Sequence, residues 1–71
     1  MSRYLVIIEE SSTGFSAFLP DLPGCIATGA TRDDVKNRMK EGVGFHLEAL
    51  RESGEPVPPP RSTATYVEVA A

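Results

Sequence analysis

The sequence predicts a small α+β domain in the order β-β-β-α-β, with the helix packed on one face of the sheet. Three observations carry that expectation. The run Arg3–Glu9, RYLVIIE, is rich in β-branched and aromatic residues and too short for a free-standing helix. The corner Pro20-Asp21-Leu22-Pro23-Gly24 puts two prolines and a glycine into five residues, which forces the chain to turn. From Thr31 onward, apolar residues recur at spacings of three and four, the period of one helix face.

The first strand, Arg3–Glu9, places Tyr4, Val6 and Ile8 on one face and Leu5 and Ile7 on the other. Apolar residues on both faces predict a central strand covered on both sides. Glu10-Ser11-Ser12-Thr13-Gly14 is a turn cluster, and Phe15–Leu19 returns antiparallel as a hairpin. After the corner, Cys25–Gly29 forms a third short strand. Thr31 is a helix N-cap, and Asp33 and Asp34 occupy the first turn, where the helix dipole favours acids. Val35, Met39, Val43, Leu47 and Leu50 make the buried stripe. Gly54 ends the helix as a C′ residue, and Pro56 prevents its continuation. Gly42 and Gly44 weaken the helix, and Gly42 near the stripe is a place for close backbone approach. Pro56-Val57-Pro58-Pro59-Pro60 is a stiff, extended tether returning the chain to the sheet. Ser62–Val69, STATYVEV, is a final β-rich run with Ala64, Tyr66 and Glu68 alternating with Thr63, Thr65, Val67 and Val69.

Seventy-one residues make one domain, 1–71, with a core small enough to need support. Cys25 is the single cysteine and His46 the single histidine, so neither a disulfide nor a paired metal-ligand set supplies it. Oligomerisation remains, as a homodimer or homotetramer. A sheet covered by one helix leaves an apolar face needing a second cover, and Tyr4, Phe15, Phe18 and Tyr66 are candidates for that surface. The net charge of −3 disfavours direct nucleic-acid binding, which needs clustered Lys and Arg, and suits a basic protein partner. Asp21 is a further candidate for contact with such a partner. No apolar run reaches the ~20 residues of a membrane span, and the first apolar run is followed by Glu9-Glu10 rather than a cleavage site. A cytoplasmic location is expected, which agrees with the free thiol.

Catalytic readings are weaker than structural ones. A Cys25–His46 nucleophile–base pair lacks an orienting third group, and a lone cysteine is most often a small buried hydrophobe. The acids are scattered among turns, helix start and helix face, whereas two-metal nuclease chemistry needs them converged. Arg32, Lys36 and Lys40 form a basic line at i, i+4 and i+8, read as a solvated face. The chain has no P-loop, dinucleotide fingerprint or helix-turn-helix pattern, so no cofactor, catalytic residue or metal is assigned.

The ordered set Phe15-x-Ala17-x-x-Pro20-Asp21-Leu22-Pro23-Gly24-Cys25, followed by Gly29-x-Thr31 opening a helix, resembles the HicB-type antitoxin family over Arg3 to about Pro59. The resemblance implies a partial ribonuclease-H-like fold: a three-stranded antiparallel meander, a helix across it and a further strand. It also implies binding to a small basic HicA-type toxin, an mRNA-cleaving protein with a double-stranded-RNA-binding-like fold. Many members carry a separate C-terminal DNA-binding domain, which is not expected within these 71 residues. Two other readings stand beside the antitoxin: an orphan oligomeric domain with an unknown ligand, and a nuclease on a ribonuclease-H-like scaffold.

Overall fold

The computed structural model describes residues 2–71. Three strands, β1 (Ile7–Ser11), β2 (Gly14–Phe18) and β3 (Ile26–Gly29), form an antiparallel sheet in the order β1-β2-β3, and the helix α1 (Arg32–Glu52) follows. The register aligns Ile7 with Phe18 and Phe18 with Ile26, and one step along it aligns Ile8 with Ala17 and Ala17 with Ala27. Directly opposed residues share a sheet face. The Ile8–Ala17–Ala27 row therefore lies under the helix, and the Ile7–Phe18–Ile26 row lies on the opposite side.

The core sits between α1 and the first of these faces. Ala17, Leu19, Leu22, Cys25, Val35 and Met39 are buried, with Tyr4, Val6, Ile8, Phe15, Ala27, Val43 and Leu47 packed partly buried around them. The corner and the residue after it supply two of these core residues, Leu22 and Cys25. Leu22 N–H donates to Leu19 O at 3.3 Å and Cys25 N–H to Leu22 O at 3.2 Å, two successive turns that fold Leu22 and Cys25 inward. Gly24 adopts φ 86 between them, a conformation that a Cβ would disfavour. The connection into the helix is tight as well: a Cβ on Gly29 would stand 2.9 Å from Val35 N.

Helix signals read from the sequence are realised. Thr31 Oγ1 accepts from Asp34 N–H at 3.1 Å, the capping bond that satisfies a first-turn donor. Val35 and Met39 are buried, while Val43 and Leu47 are half-buried as the helix runs beyond the sheet. Gly42 makes no close approach, since a Cβ there would meet nothing within 4 Å.

Two expectations are corrected. The strand expected over 3–9 begins only at Ile7, because Ile7–Phe18 is the last pair before β2 turns into the corner, leaving residues 4–6 without a ladder partner there. Among the described strands β1 is an edge rather than a centre. The expected C-terminal strand, Ser62–Val69, is not formed: residues 60–71 carry no regular structure and pair with none of the three strands. Its composition suits a strand, but a strand also needs a ladder.

Candidate partner-binding surface

Two uncovered surfaces flank the sheet. The first is the face away from the helix, where Ile7, Phe18 and Ile26 stand side by side across all three strands. Phe18 is 38% exposed and Ile26 77% exposed, which makes this row an apolar band open to solvent. The next row on that face is Glu9–Ser16–Thr28, so an acid borders the band. Tyr4, Val6 and Ile8 all line the groove side, so the same alternation carried back from β1 places Leu5 with Ile7.

The second surface is a groove of about 820 Å³ beside β1. Helix α1 lies chiefly over β3 and β2, so the helix-facing side of β1 is only partly covered. Tyr4, Val6 and Ile8 line one wall, Met39 and Val43 the other, and Arg32, Lys36 and Lys40 stand along the rim. The basic line seen in the sequence is therefore the rim of an apolar groove. Arg32 also rests its guanidinium 5.7 Å from the centre of the Phe15 ring, a cation–π distance.

The five candidate interface residues do not converge on one surface. Tyr4 lines the groove, and its hydroxyl donates to Pro58 O. Phe15 is half-buried on the helix-facing side under Arg32. Phe18 lies on the open face. Asp21 is engaged within the chain: Oδ2 accepts from the N–H groups of Arg61 and Ser62 at 2.8 and 2.9 Å, and Oδ1 from the Ser62 hydroxyl at 2.8 Å. Tyr66 is 99% exposed in the segment after the helix. Arg38, not singled out in the sequence, donates from Nη1 to Thr28 O at 3.1 Å and ties the helix to β3.

Catalytic constellations do not assemble. The Cys25 thiol is buried and directed at Met39 Sδ, 3.7 Å away, and burial pushes its pKa up, the reverse of an activated nucleophile. The described residues contain no group of three or more His, Cys, Asp and Glu placed to hold a metal ion. None of their helices is long and apolar enough to cross a membrane.

A family described as HicB_like antitoxin of bacterial toxin-antitoxin system matches residues 4–70, nearly the whole chain. This chain belongs to the HicB-like antitoxin family. Among solved structures, a chain of a HicA3 and HicB3 toxin–antitoxin complex superposes with a TM-score of 0.71 at 35% identity, covering 83% of this chain and 70% of that one. An antitoxin HicB3 crystal structure gives 0.69 at 33% identity, over 84% of this chain and 44% of that chain. An uncharacterised 14.9 kDa protein of Haemophilus phage HP1 is 31% identical over 64 residues. The match takes in 90% of this HicB-like chain but only 48% of the phage protein. The HicB-like unit thus spans about half of two of these relatives.

Proposed function

We propose that this chain is an antitoxin-like binding module that neutralises a small, basic, HicA-type mRNA-cleaving toxin in the cytoplasm. The likeness to a chain from a HicA3–HicB3 complex carries this reading. Family membership and the chain's net charge of −3 support it. In this reading the three strands and helix are the leading elements of a partial ribonuclease-H-like unit, and the module acts by occupying a partner's surface rather than by catalysis.

The docking surface we assign is the open sheet face. Ile7, Phe18 and Ile26 supply contiguous apolar anchors, and Glu9 beside them attracts a basic partner. Apolar anchors slow dissociation, while charge at the rim mainly raises the association rate. The groove beside β1 suits a basic toxin poorly, because Arg32, Lys36 and Lys40 stand on its rim. Co-expression with the product of any small basic gene adjacent to this one tests the assignment: rescue of growth and co-elution support it. Persistent arrest with separate elution returns the chain to an orphan oligomeric domain.

A further inference from the structure

The segment after Ser62 has strand composition, no strand partner and a fixed point of departure. Arg61 and Ser62 are held at the corner by Asp21, so the following residues leave from a defined place. They then run outward. Tyr66, Val67 and Val69 are 99%, 82% and 77% exposed, an unusual outlay of large apolar surface for one short segment. The Cα radius of gyration is 13.9 Å, against roughly 11 Å for a compact chain of this length, and the longest dimension is 48 Å. No loop or turn backbone hydrogen bond among the described residues involves 63–69 or 4–6.

We infer that residues 63–69 of one copy add as a fourth strand to the free edge of β1 in a second copy, each copy donating its segment to the other. Two features select that edge and that occupant. At the other edge of the sheet, the Thr28 carbonyl of β3 is already taken by Arg38, whereas β1 presents an unguarded backbone that continues through residues 4–6. The groove under β1 also matches the segment chemically. In an extended strand Tyr66 and Glu68 fall on one side. Tyr66 fits over the apolar floor of Val6, Ile8 and Met39, and Glu68 meets Lys36 and Lys40 at the rim. Val67 and Val69 then join Leu5 and Ile7 on the opposite face. The exchange gives the first strand a ladder partner along both of its edges. Main-chain bonds of this kind supply affinity, and the alternating side chains supply register. A reciprocal exchange also closes on itself, so it ends at a dimer.

The test uses the full chain alone, without any toxin, so its outcome is separate from that of the antitoxin reading. Light scattering coupled to size exclusion should report a dimer. Val67→Pro removes a ladder donor from an exposed segment and should yield a monomer with unchanged helical circular dichroism. Tyr66→Ala should raise the dimer Kd about tenfold or more, and Glu68→Lys should act in the same direction. Three results would overturn the inference. One is a wild-type monomer at its highest soluble concentration. Another is a dimer indifferent to both Val67→Pro and Tyr66→Ala, which would place the seam on the open sheet face. The third is slow amide exchange over 63–69 in a monomer, which would mean that the segment pairs with its own sheet.

Discussion

Asp21 grips Ser62 with both carboxylate oxygens: Oδ2 accepts the backbone N–H at 2.9 Å and Oδ1 the hydroxyl at 2.8 Å, across 41 positions of chain. The loop so closed contains β3 and α1, so a turn acid fixes where the post-helix segment leaves the domain. The Ser62 N–H lowers the Asp21 pKa most, followed by the Arg61 N–H and the Ser62 hydroxyl, with the Arg61 charge adding less and burial opposing. The folded value thus lies below the unfolded one. The stability contributed by the latch is complete above the unfolded pKa and is lost as pH falls through the folded pKa. The Arg61 and Ser62 amide resonances should titrate together with a midpoint below the ordinary aspartate value of 3.8. Asp21→Asn should abolish that titration and lower the heteronuclear NOE of both amides. Unchanged NOE values in the variant would show that the latch does not hold the segment.

Two glycine-to-alanine changes should move stability in opposite directions. A Cβ on Gly29 would crowd Val35 N at 2.9 Å and Asp34 Cβ at 3.1 Å, so the helix start must shift. Overpacking of that kind costs about 1–3 kcal/mol. Gly42→Ala meets no neighbour within 4 Å and should add about 0.5–1 kcal/mol through helix propensity. Thermal melts of the two variants should bracket the parent, with Gly29→Ala below it and Gly42→Ala above. Equal shifts of the same sign would refute the close approach assigned to Gly29.

Cys25 should behave as a core residue. With its thiol buried against Met39 Sδ and its pKa raised, alkylation at mildly alkaline pH should be slow in the folded chain and fast in denaturant. Met39→Ala should cost about 2–5 kcal/mol and speed alkylation by opening the pocket beside the thiol. Rapid modification of the native parent chain would contradict the packing described.

What the sequence revealed tracks how local the physics is. The Thr31 cap, the acids after it and the burial of Val35 and Met39 follow from spacings within a few residues, and the structure realises them. The Pro20–Gly24 corner was legible for the same reason. The limits of β1 were not, because the ladder ends where β2 departs, a fact of register rather than composition. Asp21 carried no local sign of its role: its partners lie 40 and 41 residues away, and a turn acid looks much the same with or without them. The periodicity of Arg32, Lys36 and Lys40 was plain, yet only the position of β1 beneath the helix flank turns that line into a groove rim. Ser62–Val69 alternates like a strand, but alternation cannot supply a ladder partner.

A dissociation constant tests most directly whether the open sheet face binds a basic toxin, as proposed. The chain and a small basic HicA-type toxin should be titrated by calorimetry at two salt concentrations, with Phe18→Asp and Asp33→Asn as comparisons. Phe18 is 38% exposed on the open face, so its replacement should leave the fold intact while removing an anchor. Loss of a central anchor at an interface costs ~2 kcal/mol or more, about thirtyfold in Kd. The parent chain should bind tightly, with binding weakened by salt, lost or reduced at least that far by Phe18→Asp, and nearly unchanged by Asp33→Asn on the groove side. Parent binding that Phe18→Asp leaves untouched, or no binding by the parent chain at all, would contradict the proposal.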